Sequence, residues 1–229
     1  MQNNLSYPPL ANNHISVDCV VIGFDGEQLK LLLVNRHGVE DGKAYHDMKL
    51  PGSLIYQDED LDQAAKRVLM ELTGLKSVNL MQFKAFGSKD RTRDPRDVHW
   101  LERAQKAHVE RIVTIAYLAL VKIDKALDKS LDEHQSTWVS LPDVPDLAFD
   151  HNLIVKEAIE YIRRVIDVNP AVLFDLLQRK FTATQLRTLY EVIYDREIDV
   201  RNFHKKIAMM DYVIPLEERE TGVAHRAAR

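Results

Sequence analysis

The chain has 229 residues, of which 45% are hydrophobic and 29% charged, with 8 Gly and 8 Pro. That is the usage of a globular protein with room for one large domain or two small ones, and it excludes a disordered or collagen-like chain. Lys and Arg number 31 against 35 Asp and Glu, a formal charge of −4, so affinity for a polyanion has to come from a local patch.

The lone cysteine, Cys19, lies in an apolar run, which excludes a disulfide framework and suits a reducing compartment. No segment approaches the roughly 18 apolar residues of a membrane span, and MQNNLSYPPLANN lacks the basic and apolar regions of a secretion signal. These features predict a cytoplasmic protein with no membrane contact. Ile15 to Phe24 and Leu29 to Val34 are β-rich runs joined by Asp25-Gly26-Glu27-Gln28, a hairpin pattern. Leu61, Ala65, Val68 and Leu72 recur at helical spacing up to Gly74, which predicts an amphipathic helix. Leu80 to Phe86, Arg111 to Val121 and Trp138 to Leu141 read as further strands, and Leu153 to Ile166 as a helix. Strands with helices between them make an α/β or α+β domain, and α+β is the class expected.

After Asp167-Val168-Asn169-Pro170 the pattern turns helical, so a boundary is placed at residue 168, giving domains 1–168 and 169–229. Residues 179–229 hold ten Lys or Arg against eight Asp or Glu, whereas the remainder is net acidic. A mildly basic module therefore follows an acidic one.

Pro51 to Leu75, PGSLIYQDEDLDQAAKRVLMELTGL, resembles the signature of the Nudix family. Glu59, Arg67, Leu69, Glu71 and the pair Gly74-Leu75 match at the right spacing. Ser53 stands at the opening glycine, with Gly52 one place early, and Val68 and Leu72 stand where two helix glutamates belong. Nudix enzymes cut diphosphates with Mg²⁺ or Mn²⁺ held by those carboxylates, and a hard cation needs several oxygen ligands. The departures therefore imply a helix rewritten for packing, with no catalytic residue, no metal and no cofactor. Arg67 and Glu71 are expected to hold the pocket loop in shape. Ala85-Phe86-Gly87, Asp90-Arg91, Arg93-Asp94-Pro95-Arg96 and Arg111 to Tyr117 are similar to segments of Nudix-related transcriptional regulators, interrupted by Asp97 to Glu110. Guanidinium forks match phosphate oxygens. The resemblance thus implies an effector site drawn from Arg36, Gly52, Ser53, Arg67, Glu71, Arg91, Arg93 and Arg96. His99 and His108 in the insertion have no metal-ligand spacing, and a small amphipathic helix over the pocket or at a dimer contact is expected there.

Phe181 to Met210 reads as a helix-turn-helix. Thr182 and Gln185 form a capping-box pattern, Leu186, Leu189 and Ile193 mark the first helix, and Val200, Phe203, Ile207 and Met210 the inward stripe of the second. Arg201, Asn202, His204, Lys205 and Lys206 are left outward, the side-chain types that read phosphates and base edges. Tyr212 to Leu216 and Val223 to Arg229 are expected to form a wing. The segment resembles the winged helix of the same regulators, which implies DNA contacts from Thr182, Thr184, the outward set and Arg226. The fold expected is a Nudix-like α/β/α sandwich with a mixed sheet, followed by a C-terminal winged helix. The function expected is a homodimeric transcription factor that binds a double-stranded operator and a phosphorylated nucleotide or sugar effector. A working hydrolase of ADP-ribose or a related nucleoside diphosphate derivative is the alternative.

Overall fold

A strand buried on both faces has to be apolar almost throughout, and the run Ile15 to Phe24 meets that demand. In the computed structural model, which describes residues 11–76, 78–105, 108–109, 111–123, 127, 131 and 133–216, it lies at the centre of the sheet as β1 (Ala11–Phe24). Its side chains alternate between two cores. Val17, Cys19 and Val21 face one apolar cluster, and Val20, Ile22 and Phe24 face the other.

The remaining strands are β2 (Leu29–Glu40), β3 (Lys43–Lys49), β4 (Gly52–Tyr56), β5 (Leu80–Phe86), β6 (Val113–Lys122) and β7 (Ser136–Ser140). The sheet runs β3-β2-β1-β6-β5, with β4 also paired to β1 and β7 to β2. β1 and β6 are parallel and the other pairings antiparallel, so the sheet is mixed. Two strands, the polar edge strand β3 and the short β4, were absent from the sequence-based expectation.

Helix α1 (Leu61–Thr73) begins with a capping box between Asp60 and Gln63 and stops at Gly74. Gly74 has φ 73°, a left-handed conformation that glycine adopts without penalty. Ala64, Ala65, Val68 and Leu69 bury its inner face on one side of the sheet. On the other side lies α3 (His151–Val168), through Ile154, Ala158, Ile162 and Ile166. This is the layered α/β/α arrangement expected. The insertion contains α2 (Pro95–Gln105), whose Leu101 joins a third apolar cluster with Leu54, Val109 and Ile112.

Past α3 a 3-10 segment, Pro170–Asp175, leads into α4 (Ala183–Tyr194) and α5 (Val200–Ala208). Leu186, Leu189, Tyr190, Ile193 and Phe203 extend the α3-side core without a break. Arg163 Nε donates to the Ile193 carbonyl at 2.7 Å, and Tyr194 OH donates to Asp167 at 2.7 Å. Two expectations need correction. Val200 is half-exposed rather than inward, because Phe203, Ile207 and Met210 already fill the space beneath α5. Tyr212 to Leu216 is a turn and irregular chain, tied back by Val213 N–H to the Met210 carbonyl, and not a strand. The rest of the predicted wing, Arg226 included, lies outside the described residues.

Candidate functional site: a charged cavity and a basic helix

Where β1 and β4 run side by side, Asp18 pairs with Gly52. A side chain at position 52 would meet the carboxylate, since a Cβ built there lies 1.9 Å from Asp18 Oδ1. Glycine is therefore required for the strands to close over a buried acid. Above this point is a cavity of about 280 Å³, walled by Asp18, Lys49, Gly52, Ser53, Val68, Glu71, Leu72, Arg91, Trp100, Phe149 and His151 among others. Its size sits at the low end for small-molecule sites.

The floor of the cavity is a network of buried charges. Arg91 Nη2 donates to Asp18 Oδ2 at 3.2 Å and to Asp150 Oδ1 at 3.0 Å, where Nε also donates. His151 Nδ1 accepts the Leu50 N–H at 3.0 Å, which places the ring proton on Nε2, 3.5 Å from Asp18 Oδ1. Burial pushes the Asp18 carboxyl up, but His151 and Arg91 outweigh it and hold the group well below the usual carboxylate range. Lys49 is almost fully buried, and its ammonium donates to the carbonyls of Leu50 at 3.1 Å and Gly52 at 2.9 Å. Burial lowers its pKa to about 8, with Asp18 pulling the other way.

Of the eight residues expected to bind an effector, four line this cavity: Gly52, Ser53, Glu71 and Arg91. Arg36 does not. Its guanidinium is fully engaged elsewhere, with Nε and Nη2 on Asp47 and Nη1 on Asp97, all at 2.6 Å, under the rings of Tyr45, Trp100 and Phe149. It clips α2 to the sheet. Arg67 is likewise spent on structure: it grips both oxygens of Glu59, donates to the Leu54 carbonyl and reaches Glu71 at 3.1 Å. That joins α1 to β4 at the cavity edge. Arg93 and Arg96 are exposed outside the lining, Arg96 paired with Asp94 at 2.6 Å.

Lys49, Asp18, His151, Trp100 and Phe149 were missed. One signal was present: Asp18 is the only charged residue in ISVDCVVIGF, and a charge inside a two-face strand must be paired.

On α5, Arg201, Asn202, His204 and Lys205 are exposed, as is Thr184 at the start of α4. Lys206 leans on the Tyr190 ring at 4.1 Å, and burial together with Arg196 lowers its pKa. Thr182 is buried and its hydroxyl accepts the Gln185 N–H, so it caps α4 and is unavailable to DNA. The turn between the helices is set by Glu191, which takes the Ile198 N–H at 2.8 Å and Arg187 at 2.9 Å. Neither Glu191 nor Arg187 was anticipated.

The NUDIX domain model matches residues 12–161. The chain belongs to the Nudix family. Behind that domain, residues 173–229 match the NrtR DNA-binding winged helix domain. This Nudix chain is 29% identical over 197 residues to the ADPR responsive transcriptional repressor NtrR of Acinetobacter baylyi, covering 84% of this chain and 71% of that protein. Its fold matches the crystal structure of Shewanella oneidensis NrtR with a TM-score of 0.68 at 24% identity, over 94% of this chain and 92% of that one. The same Shewanella protein complexed with a 27mer DNA gives 0.67 at 25% identity, over 93% and 91%.

Nudix hydrolysis relies on a divalent cation, and the residues present do not fit one. Val68 is buried in the core beneath α1 and Leu72 packs against that core, both at the cavity wall. The Glu59 carboxylate is occupied by Arg67 and the Tyr56 N–H. Only Glu71 among the signature carboxylates reaches the cavity, far short of the oxygen set a hard cation needs. Among the described residues no group of three His, Cys, Asp or Glu side chains could hold a metal ion. No helix of the described residues is long and apolar enough to cross a membrane.

Proposed function

We propose that this protein is a cytoplasmic, homodimeric transcriptional repressor whose Nudix domain binds ADP-ribose or a close nucleoside diphosphate sugar without cleaving it. In this reading the ligand changes the affinity of the winged helix for an operator. The observation that carries it is the pairing of an NrtR-type winged helix with a Nudix helix whose glutamate positions hold Val68 and Leu72. The effector class and the sense of regulation follow the Acinetobacter relative, an ADPR responsive repressor. Support from this chain itself is the charged cavity and the exposed Arg201, Asn202, His204 and Lys205 on an element narrow enough for the major groove.

Dimerisation follows from the arithmetic of phosphate contacts. One short helix with three or four donors offers little non-specific affinity, and two copies on half-sites about one helical turn apart restore it. Of the earlier DNA-contact set, Thr184, Arg201, Asn202, His204 and Lys205 remain in the proposal, with Lys206 as a partly committed member.

The test is an electrophoretic shift of the DNA upstream of the protein's own operon, with and without ADP-ribose, beside a Mg²⁺-dependent phosphate-release assay. A shift abolished by ADP-ribose, with no turnover, is expected. Turnover that Glu71→Gln abolishes would instead establish a hydrolase. Analytical ultracentrifugation with and without the operator tests the dimer.

A further inference from the structure

The cations about the cavity differ in what meets them. Arg91 contacts two carboxylates, Asp18 and Asp150, Arg67 contacts Glu59 and Glu71, and Arg36, behind the wall, contacts Asp47 and Asp97. His151 accepts the Leu50 N–H with Nδ1 and turns Nε2 toward Asp18. Lys49 alone is held only by carbonyl oxygens, with no carboxylate in ion-pair contact among the described residues. Two of its three protons are spent on Leu50 and Gly52, and the ammonium lies 5.4 Å from the Trp100 ring centroid at the wall of the cavity. Proteins rarely bury an ammonium without an anion to meet it, because the desolvation cost goes uncompensated. A cavity that opens beside an ammonium with one proton unspent offers a seat to a ligand that brings an anionic oxygen into direct contact.

We propose that Lys49 is the anion-receiving residue of this cavity, docking a phosphate or pyrophosphate oxygen of the effector between Trp100 and the Gly52-Ser53 edge. This deepens the effector reading above and rests on it. It also moves the anion from the exposed Arg93 and Arg96, which lie outside the lining, to a buried point charge. A low-dielectric site of this kind strengthens the attraction well beyond what a solvated arginine offers.

The assignment has a pH signature. The groups facing Lys49 are Asp18 and Cys19 from β1, Arg36 from β2, Glu71 from α1, Arg91 from the loop before α2, and His151 from α3. Asp18 titrates far below neutrality and burial drives the Cys19 thiol far above it. Lys49, with a pKa near 8, loses its charge just above the physiological range. A pyrophosphate diester keeps its charge there, so the decline in affinity reports the lysine.

Isothermal titration of the full-length protein with ADP-ribose from pH 7 to 9.5, and with inorganic pyrophosphate at pH 7, tests this. Wild type should weaken by up to about tenfold per pH unit above pH 8. Lys49→Met should lose at least about tenfold for both probes at pH 7 while still shifting operator DNA, which certifies its fold. Lys49→Arg should bind with a flat profile, because guanidinium does not titrate there. Wild-type affinity independent of pH, or ADP-ribose releasing DNA equally well in wild type and Lys49→Met, overturns the assignment and leaves the effector reading standing. Lys49-dependent pyrophosphate binding, with ADP-ribose leaving DNA affinity untouched, overturns the effector reading and leaves Lys49 standing.

Discussion

Asp18 does two jobs that a single experiment separates. It neutralises Arg91 at the cavity floor and forces position 52 to be glycine. Its folded pKa lies below the unfolded value of 3.8, so its contribution is complete above about pH 4 and fades as the pH falls through the folded pKa. Asp18→Asn should therefore lower stability at pH 7 by about 1–3 kcal/mol, the cost of a weakened charged hydrogen bond where Asp150 still meets Arg91, with a shallower acid limb in pH-dependent melting. An equal loss at pH 3 and pH 7 would mean the side chain acts by shape alone. Gly52→Ala should cost about 1–3 kcal/mol of overpacking in the same assay. The reason Arg36 was placed in the effector set, when it clips α2 to the sheet, lies at this scale too. A sequence displays which guanidiniums exist but not which carboxylates neutralise them, and Asp97 is 61 positions from Arg36. Lys49 was overlooked because an ordinary lysine beside Leu-Pro-Gly carries no mark of burial; only the turn of the chain from the end of β3 into β4, beside β1, creates it.

Elements legible in the sequence were those whose burial leaves a mark. β1 and β6 show it as a continuous apolar run and α1 and α3 as a helical period, and the capping box at Thr182 and Gln185 marks the start of α4. β3 was not legible: as an edge strand it buries only Lys49 among its residues, so KAYHDMK has no apolar alternation to detect. The helical insertion was foreseen as a cover for the pocket, and α2 does present Trp100 and Leu101 to the cavity. Its hold depends on Arg36, because Asp97 on the first turn of α2 receives Arg36 with Oδ1 and the Phe149 N–H with Oδ2. Arg36→Ala should leave Asp47 and Asp97 unpaired, speed proteolytic cleavage within residues 95–105 at least tenfold, and weaken ADP-ribose binding. Unchanged cleavage would show that the apolar contacts of Leu101 suffice to seat the helix. On α5 the outward residues make separable predictions. Arg201→Ala should cost about 1–3 kcal/mol of operator affinity and relax specificity at one base pair, whereas Lys205→Ala should weaken all sequences alike and lower the salt slope by about one. Measuring both by fluorescence anisotropy across a salt series distinguishes base reading from phosphate contact.

At the scale of the molecule, α3 is hydrogen-bonded into the cavity wall at one end and into α4 at the other. Its 18 residues span about 27 Å at 1.5 Å each. At its start, Asp150 accepts Arg91 and His151 accepts the Leu50 N–H in the cavity wall. At its end, Arg163 holds the last turn of α4 through the Ile193 carbonyl, and Asp167 holds Tyr194. The apolar core beneath it is continuous from the sheet to Phe203 of α5. A ligand that alters the Arg91 network at one end can therefore bias the seating of α4 and α5 at the other, provided that it favours one seating over the other. Coupling between two sites is a free energy with a reciprocal reading: ADP-ribose must change operator affinity by the same factor that operator changes ADP-ribose affinity. Arg163→Leu touches neither ligand, so each isolated affinity should stay within about twofold of wild type while the coupling factor falls by about 0.5–2 kcal/mol. The full cycle, operator affinity with and without saturating ADP-ribose and ADP-ribose affinity with and without operator, is measured for both proteins. If Arg163→Leu keeps the wild-type coupling factor, the signal does not pass through the Arg163 contact, and the continuous core under α3 is left to carry it.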